Sequence, residues 1–312
     1  MRKTRIVFIG TRTWELTSQH LDYFVKHDAN IVAFVESPLE NIVSTTSGES
    51  SYKNIHDVAT ELDIPIYCPQ TPRDPEFLDT LREIAPDIII VVGYQFYLPE
   101  ALLNIPPMGV VNFHTSLLPR HCGRHPGFLT IWYGDKETGM TVHFMDAGLD
   151  TGDIMYQNKV PVLPGDTVDS LYKRIWDSCE PIVKTLLDDL DNNAVPRIPQ
   201  DPEQYIYNYE LDECDFELDF RQTAQLLKNR SDMMPGKFFF VHQNEKYFIK
   251  SCSLVEESLF TRNFRLRVPF VFREKLTFVT PRLWLQIEKV IKDGNEVDPM
   301  TLIDTSSLKT VK

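Results

Sequence analysis

Short apolar strands alternate with amphipathic helices along the first half of the chain, and this alternation restricts the fold more than any other feature. Strand patterns occupy residues 5–10, 31–36, 64–68, 87–92 and 110–114, and helical spacing of apolar residues occupies residues 15–26, 55–62 and 74–84. Consecutive strands joined by helices pair into a mostly parallel sheet with helices on both faces. The sequence therefore predicts a Rossmann-like α/β fold, in which ligands bind beyond the carboxyl ends of the strands.

Two further strands, one long helix and a linker are predicted next. The strands lie at residues 140–145 and 154–162. The helix covers residues 166–190, with Thr167 as its N-terminal cap. Residues 192–203 contain three prolines and are predicted to be a linker.

The pattern after this linker predicts a second, β-rich domain. Short strands and turn signals occur at residues 237–240, 246–250, 266–272, 276–279 and 283–290. Polar residues 243–245 and the Asp293–Gly294 pair mark turns. We predict a larger domain at residues 1–200 and a smaller one, OB-like and partly open, at residues 201–312.

Two polar side chains interrupt the apolar strand at residues 110–114. Asn112 and His114 are two positions apart, and because a strand has a period of two, both leave the same face. Buried polar groups cost free energy unless they are paired, so their joint presence favours a functional site over an ordinary core histidine. An amide donor beside an imidazole suits an oxyanion that develops during acyl transfer.

A loop between glycines, GLDTGD at residues 148–153, adds two carboxylates. Asp153 directly precedes a predicted strand, and its simplest role is to hold the turn through hydrogen bonds to the backbone. Asp150 is therefore the candidate for the site, because a carboxylate on a later loop can orient the imidazole of His114.

Charge and cysteine usage argue against several classes of protein. The net charge of −13 over 312 residues opposes nonspecific binding to nucleic acid. No apolar run has the length of a membrane span, and the N-terminal residues lack the pattern of a signal peptide. The five cysteines are scattered and never in CxxC spacing, which predicts free thiols in the cytoplasm and no metal site.

A basic cluster follows the candidate strand in this acidic chain. It contains Arg120, His121, Arg124 and His125, with Cys122 among them. A solvated loop is the plainest interpretation, but the position beside the candidate site favours binding of a substrate phosphate. The neighbouring cations are expected to favour the thiolate of Cys122, without making it a nucleophile.

Aromatic residues are concentrated in the β-rich region. They are Phe238, Phe239, Phe240, Tyr247, Phe248, Phe270 and Phe272. They resemble a surface on which nucleic acid bases stack, with a local basic patch at Arg262, Arg265 and Arg267 as its charged counterpart. Core packing of a small β domain explains the aromatic residues equally well.

The segments NFHTSLLPRHCG and ETGMTVHFMDAGLDTGDIM resemble the signature of formyltransferases that use 10-formyltetrahydrofolate. The family pattern is Asn-x-His-x-Ser-Leu-Leu-Pro, followed after a gap by Leu-Asp-Thr-Gly-Asp. Members of this family act on methionyl-tRNA, on glycinamide ribonucleotide or on nucleotide-linked amino sugars. The likeness is close over the N-terminal half and looser over residues 219–239 and 283–297.

The resemblance implies a catalytic trio of Asn112, His114 and Asp150, with 10-formyltetrahydrofolate as cosubstrate and no metal. It also implies a folate pocket in which the pterin lies mainly against backbone groups. The residues expected to line that pocket are Val91, Val92, Gly93, Tyr94, Leu117, Leu118, Met145 and Asp146.

Departures from the family pattern bear on the acceptor. Arg12 stands where tRNA-specific members have a proline, after Gly-Thr. Residues 37–51 contain glutamates but no Lys or Arg, where those members carry a basic loop, and residues 38–53 are predicted to be mobile. Cys122 and the residues after it replace the usual Arg-Gly. These departures disfavour tRNA and leave the chemistry intact.

We therefore predict an N-formyltransferase that acts on a primary amine of a phosphate-bearing small molecule, first of all a nucleotide-linked amino sugar. Arg120, Arg124 and His125 are the predicted acceptor-binding residues. Methionyl-tRNA as acceptor, a hydrolase that deformylates the same folate, and a noncatalytic binding module are the alternatives. The sequence leaves open whether His114 acts as a base or as an oxyanion stabiliser, and whether the chain forms a homodimer. It predicts no membrane partner.

Overall fold

A computed structural model describes residues 2–38, 52–209, 211–256, 268–304, 306 and 308–311. The strands of its first part are β1 (Ile6–Gly10), β2 (Ile31–Glu36), β3 (Ile66–Tyr67), β4 (Ile88–Val92), β5 (Val110–His114), β6 (Cys122–Gly123), β7 (Glu137–Phe144), β8 (Ile154–Pro161) and β9 (Tyr207–Asn208). Seven of them form one sheet in the order β3-β2-β1-β4-β5-β7-β8, and β6 pairs with β9 in a separate ladder. The predicted strands of the first half are confirmed, with ends that differ by one or two residues.

The helices of the first half agree with the prediction, and the structure also contains helices that were not predicted. They are α1 (Glu15–Lys26), α2 (Ile55–Leu62), α3 (Pro75–Ile84), α4 (Glu100–Leu103), α5 (Pro126–Tyr133), α6 (Val168–Asp177), α7 (Glu180–Asp191) and α8 (Ala224–Met233). Asn54 caps α2 by accepting from two backbone N–H groups, and Asp74 caps α3 in the same way from one. The short helices α4 and α5, and the later α8, were not predicted.

Helices cover both faces of the seven-stranded sheet. Strand β1 is buried along its whole length, and its side chains alternate between the faces. Phe8 packs edge-on against Phe24 of α1, with ring centroids 5.6 Å apart. Val7 and Ile9 lie in the core cluster that contains Phe77 of α3. The predicted Rossmann-like architecture is therefore confirmed.

The sheet changes direction at the strand that carries the candidate residues. Strand β5 pairs in parallel with β4 on one side and antiparallel with β7 on the other. Strand β8 continues antiparallel to β7. This register places Asn112 directly opposite His143. The antiparallel edge therefore adds side chains of β7 to the end of the sheet where the parallel strands finish.

The single long helix predicted at residues 166–190 is wrong. The structure has two helices, α6 and α7, that are separated at Ser178 and Cys179. Pro181 lies in the first turn of α7 and has no N–H for the hydrogen bond that a continuous helix requires. Ser178 Oγ donates to the carbonyl of Ile175 at 2.6 Å. Asn158 of β8 donates to the carbonyl of Ser178 at 3.0 Å, so this break is fixed by the sheet.

The later part of the chain forms a second, largely antiparallel sheet. Its strands are β10 (Phe239–His242), β11 (Glu245–Val255), β12 (Phe270–Phe272), β13 (Lys275–Val279), β14 (Trp284–Lys292), β15 (Asn295–Val297) and β16 (Thr310–Val311). The order is β10-β11-β14-β13-β12-β16, with β15 beside β14. The predicted hairpin is confirmed, with Gln243 and Asn244 at positive φ in its turn.

The aromatic residues of the second sheet form its core and not a stacking surface. Six of the seven that were considered for nucleic acid binding are buried; they are Phe238, Phe239, Phe240, Tyr247, Phe270 and Phe272. Phe270 and Phe272 pack edge-on against the fully buried Trp284. The interpretation as a base-stacking surface is therefore wrong, because a buried ring has no free face.

The chain divides into two compact units. One contains Met1–Pro126, Glu137–Pro161 and Tyr172–Asn208, and the other contains the remaining segments. The domain boundary near residue 200 stays a prediction. Most of the loop predicted at residues 38–53, and the basic patch at residues 262–267, lie outside the described residues. Within the described part of the chain, no helix is both long and apolar enough to cross a membrane.

Candidate active site

Strand β5 presents Asn112 and His114 on one face, as its period predicts. Phe113 points to the other face, where the centroid of its ring lies 5.3 Å from that of the His20 ring and 5.9 Å from that of the Phe24 ring. Asn112 is half-buried and His114 is buried. Burying the intervening phenylalanine in the core therefore turns both polar side chains toward the loop that follows β7.

That loop holds Asp150 in a fixed conformation. Asp146 accepts from the backbone N–H of Gly148 at 3.0 Å and from the Thr151 hydroxyl at 2.7 Å. Asp150 has a φ of 54°, in the left-handed region that ordinary residues rarely adopt. A side chain at Gly152 would collide with the backbone, since its Cβ would lie 2.0 Å from the carbonyl oxygen of Phe144. Gly152 of the signature is therefore required by the geometry.

The structure brings two members of the predicted trio, His114 and Asp150, together. Nδ1 of His114 lies 3.6 Å from Oδ2 of Asp150. The same oxygen accepts from the backbone N–H of Gly123 at 2.7 Å. Nε2 of His114 faces the carbonyl of His121 at 2.9 Å, so it carries a proton and donates. Nδ1 is then the ring nitrogen that can gain or lose a proton beside the carboxylate.

His143 is a fourth member of the site that was not among the predicted residues. Its Nε2 lies 3.2 Å from Nδ2 of Asn112 and 3.7 Å from Oδ1 of Asp150. Its Nδ1 donates to the carbonyl of Phe144 at 2.8 Å. Burial lowers the pKa of His143 to about 4, against the opposing effect of Asp150. The signal was present in the sequence, since a histidine also interrupts the apolar run of β7.

Residues 198–208, which we call the strap, form hydrogen bonds to the backbone of the loop that carries Asp150. The amide of Gln200 donates to the carbonyl of Asp150 at 2.7 Å and to that of Gly152 at 2.8 Å. The hydroxyl of Tyr205 donates to the carbonyl of Leu149 at 2.8 Å. The sequence predicted a linker for most of this segment. Instead, its side chains satisfy the backbone carbonyls of the loop that carries the carboxylate.

The strap also fixes the basic loop after β5. Strand β9 at its end pairs in parallel with β6, with Tyr207 opposite Cys122 and Asn208 opposite Gly123. The amide of Asn208 donates to the carbonyl of Arg124 at 3.2 Å. One segment therefore links the two loops that surround His114 and Asp150. Contacts of this kind join distant parts of the chain, and no local pattern in the sequence reports them.

The predicted acceptor residues lie on the basic loop, and the expectation for Cys122 is wrong. Arg120, Arg124 and His125 are exposed on either side of β6. Cys122 is fully buried, and its thiol donates to the carbonyl of Ile206 at 3.2 Å. Burial raises the pKa of this thiol and does not favour the thiolate.

The residues predicted to contact folate lie at strand ends near the trio. Some of them already form hydrogen bonds within the protein. Val91, Val92, Leu118 and Met145 are buried or half-buried. The N–H of Leu118 donates to Thr141 at 3.1 Å, and its carbonyl accepts from Gln157 at 2.8 Å. The carboxylate of Asp146 is used within its own loop. The remaining residues of this set, Gly93, Tyr94 and Leu117, are half-buried, and their role in binding stays a prediction.

Tyr94 offers one group that suits a polar ligand. Its hydroxyl is buried without a hydrogen-bond partner among the described residues. Burial raises the pKa of this hydroxyl, so it is a donor at neutral pH. A buried polar group without a partner costs free energy, which a ligand with a suitable acceptor would recover.

An ion-pair cluster around one buried carboxylate lies after β1, where the sequence departs from the family pattern. Glu36, at the end of β2, is 2% exposed in its side chain. Arg12 donates to this carboxylate twice, from Nε to Oε2 at 3.0 Å and from Nη2 to Oε1 at 2.7 Å. Nε2 of His56 lies 2.7 Å from the same Oε1. Arg12 thus fixes the turn after β1 through charge.

Comparison with known proteins decides the family. The formyl transferase sequence family matches residues 4–185, more than half of the chain. A methionyl-tRNA formyltransferase from Koribacter versatilis (strain Ellin345) is 33% identical over 255 residues, which cover 76% of this chain and 78% of that protein. The chain belongs to the formyltransferase family.

Solved structures agree with this formyltransferase in fold. An N-formyltransferase from Helicobacter canadensis, in complex with folinic acid and dTDP-3-aminofucose, has a TM-score of 0.64 and 18% identity, and the match covers 91% of this chain and 99% of that one. WlaRD, a sugar 3N-formyl transferase solved with dTDP and 5-N-formyl-THF, has a TM-score of 0.63 and 18% identity, with coverage of 91% and 97%. At this identity the likeness establishes the fold alone.

The site of the formyltransferase has the groups that acyl transfer needs. An amide donor, an imidazole and a carboxylate lie within one connected set of contacts, since Asn112 contacts His143, and both His143 and His114 lie beside Asp150. Donors fixed before the reaction stabilise developing negative charge without reorganisation. Among the described residues, no three His, Cys, Asp or Glu side chains are grouped as metal ligands.

Proposed function

We propose that this formyltransferase moves the formyl group of 10-formyltetrahydrofolate to a primary amine of a nucleotide-linked amino sugar. The observation that carries the chemistry is the contact of His114 with Asp150 at 3.6 Å, beside the amide of Asn112. The cosubstrate supplies an activated formyl carbon, and the residues of this chain supply hydrogen bonds and a proton acceptor around it.

Each member of the trio has one role in this proposal. Asn112 donates one N–H to the oxygen of the formyl group, where negative charge develops when the amine attacks. His114 keeps its Nε2 proton on the carbonyl of His121, so its Nδ1 takes the proton that the amine loses. It returns this proton to N10 of the folate as the bond between N10 and the formyl carbon breaks and tetrahydrofolate leaves. Asp150, held by Gly123, stabilises the imidazolium that results.

Two features support a nucleotide-linked acceptor. Residues 37–51 contain no Lys or Arg, so the sequence lacks a basic loop there for the phosphates of a tRNA. Arg124 and His125 are exposed directly after Gly123, which contacts Asp150. Guanidinium groups bind phosphate oxygens well, and this position suits a diphosphate whose sugar amine reaches the trio.

Methionyl-tRNA is the second candidate acceptor, because the protein at 33% identity is named for that activity. Formylation assays with dTDP-linked and UDP-linked amino sugars, in parallel with charged methionyl-tRNA, separate the two. We expect product from a nucleotide sugar and little dependence on salt. Activity on the tRNA alone, which falls steeply as salt rises, would reject our first choice.

Hydrolysis of the folate without an acceptor uses the same trio with water as nucleophile. Release of formate is the readout. We expect formate release in the absence of amine to be slow beside transfer in its presence. Equal rates with and without the amine would identify a hydrolase and contradict the proposed transfer.

A further inference from the structure

The imidazole of His114 is held by the backbone of a residue in an unusual conformation. Nε2 of His114 donates to the carbonyl of His121 at 2.9 Å. His121 is 2% exposed and has a φ of 57°, in the left-handed region that residues other than glycine rarely adopt. A backbone in this region persists only where its surroundings hold it. The neighbours of His121 therefore decide where the acceptor for His114 lies.

One peptide group connects the strap with His114. The carbonyl of His121 and the N–H of Cys122 belong to the same planar trans peptide, so they point in opposite directions. On one side the N–H donates to the carbonyl of Ile206 in the strap at 3.0 Å. On the other side the carbonyl accepts from His114. Because the peptide group is rigid, the strap sets the direction of the carbonyl that binds His114.

Asn208 of the strap holds the side chain of His121 as well. Oδ1 of Asn208 lies 3.4 Å from Nδ1 of His121, and its Nδ2 donates to the carbonyl of Arg124 at 3.2 Å. The first of these contacts is long for a hydrogen bond. Both side chains are 2% exposed, however, so water does not readily replace it. Asn208 thus uses both of its polar atoms to fix the segment that contains the carbonyl.

Two acceptors compete for the proton of neutral His114. The carbonyl of His121 lies 2.9 Å from Nε2, and Oδ2 of Asp150 lies 3.6 Å from Nδ1. A neutral imidazole has one ring proton, and the hydrogen bonds of its two nitrogens decide which of them bears it. The shorter contact places the proton on Nε2 and leaves a lone pair on Nδ1. If the carbonyl moves away, the carboxylate of Asp150 favours a proton on Nδ1, which then cannot accept another.

We propose that Asn208 is a positioning residue that fixes the tautomer of His114 through His121. Its effect on turnover rests on the proposed function, in which Nδ1 of His114 takes the proton of the amine. Its effect on the tautomer does not, because the ring of the unliganded protein already has that tautomer. The tautomer and the turnover are therefore measured separately.

Nitrogen NMR of the full-length, unliganded protein with isotope-labelled histidine reports the tautomer, because protonated and unprotonated ring nitrogens differ in chemical shift. Spectra are recorded at alkaline pH, where the ring is neutral, for the wild type, Asn208→Ala and His121→Asn, with Gln204→Ala of the strap as the control. His114→Gln identifies the signals of His114. Asparagine at position 121 tolerates the left-handed conformation but lacks the ring. We expect the proton of His114 on Nε2 in the wild type and the control, and a shift toward Nδ1 in the other two variants.

Steady-state kinetics measure the consequence for the reaction. We expect kcat to fall about 10- to 100-fold in Asn208→Ala and in His121→Asn, the range for a small displacement of a catalytic group. The double variant should be no slower than the slower single variant, because both changes interrupt the same connection. Asn208→Ala also releases the carbonyl of Arg124. A rise of the acceptor KM in this variant alone is therefore assigned to that bond, and kcat is the parameter compared.

Three results would overturn the positioning role. One is an Asn208→Ala protein whose His114 keeps its proton on Nε2, even if activity is lost, because the loss would then be only structural. Another is a wild-type protein that has this proton on Nδ1. The third is a double variant in which the losses of kcat multiply, since Asn208 would then not act through His121.

Failure of the proposed function has a different signature. If the tautomer shifts as expected in Asn208→Ala while kcat keeps its wild-type value, the positioning role stands and Nδ1 of His114 is not the base. If the tautomer shifts but no amine is formylated by the wild type, the positioning role stands and the proposed reaction is wrong. If a nucleotide sugar is formylated and the tautomer does not shift, the reaction stands and the positioning role is wrong.

Discussion

The side-chain amide of Asn112 donates to the ring of His143, with Nδ2 and Nε2 3.2 Å apart. The proton on Nδ1 of His143 is held by the carbonyl of Phe144, so Nε2 offers only a lone pair. An asparagine amide has two N–H groups, and the contact fixes the direction of both. The orientation of the proposed oxyanion donor therefore depends on the neutral form of a buried histidine.

His143→Phe should lower kcat while the enzyme still folds. The ring is kept, but the acceptor for Asn112 is lost, so the amide is free to turn away from the formyl oxygen. We expect a fall of about 10- to 100-fold, the range for a small displacement of a catalytic group. Steady-state kinetics and thermal unfolding measure the two effects, with His242→Phe on β10 as a control. Wild-type kcat in His143→Phe would show that Asn112 is oriented by something else.

Asn112→Ala should lose about 10²- to 10³-fold in turnover, as for removal of one oxyanion donor. The side chain is half-buried and lies at the edge of the core, so the fold should be retained. Asn104→Ala, at an exposed position after α4, is the matched control. Formyl transfer by Asn112→Ala at the wild-type rate would remove this residue from the mechanism.

Gln200→Ala should reduce activity through the position of Asp150. The change removes two hydrogen bonds to the loop carbonyls, and we expect ~1–2 kcal/mol of lost stability together with a lower kcat. Gln200→Glu keeps the shape but replaces the donors with acceptors, so it should be at least as damaging. Gln204→Ala, exposed in the same strap, is the control. Full kcat in Gln200→Glu would contradict the role of the amide.

The free energy of unfolding should fall as the pH is lowered from about 6.5 to about 4. Burial lowers the pKa of His20 and of His143 to about 4, from 6.5. Over this interval the unfolded chain takes up protons that the native chain does not, and stability is lost until both states are protonated. His20→Phe keeps the edge contacts with Tyr23 and Phe113 and removes one of the two groups. Urea unfolding at a series of pH values measures the free energy of unfolding, which should change less steeply with pH in the variant than in the wild type. An equal dependence on pH would contradict the assignment.

Arg12→Ala should destabilise the turn after β1 because it leaves Glu36 buried with one partner fewer. We expect a loss of ~2 kcal/mol, less than for a fully buried pair, since Arg12 is partly exposed and His56 still contacts the carboxylate. Arg12→Ala combined with Glu36→Gln should lose less than the sum of the single changes. Strict additivity in urea unfolding would indicate that the two side chains do not interact.

The sequence predicted those features that depend on local periodicity. The alternation along β5 placed Asn112 and His114 on one face, and the structure has Phe113 on the other. Thr167 directly precedes α6 and accepts from the backbone N–H of Ser170 as a cap, and turn residues separate β10 from β11. Each of these follows from a few adjacent residues, so one chain is enough to see them.

Three of the features that were missed or wrong depend on distant partners. Gln200 looked like a linker residue, because the carbonyls it binds are contributed by a loop about 50 residues earlier. Cys122 looked activated by neighbouring cations, whereas the fold buries it. The break between α6 and α7 requires Asn158 of the sheet as well as Pro181. Tertiary contacts decided these positions against the local pattern.

The position of the strap in the sequence determines when the site can become complete during translation. Every strand of the seven-stranded sheet is complete by Pro161, yet the segment that secures the loop of Asp150 begins at Ile198. Translation therefore completes the strands of the sheet, including Asn112 and His114, before it adds Gln200 and Tyr205. The nascent chain is expected to acquire a working centre only after residue 208 has left the exit tunnel.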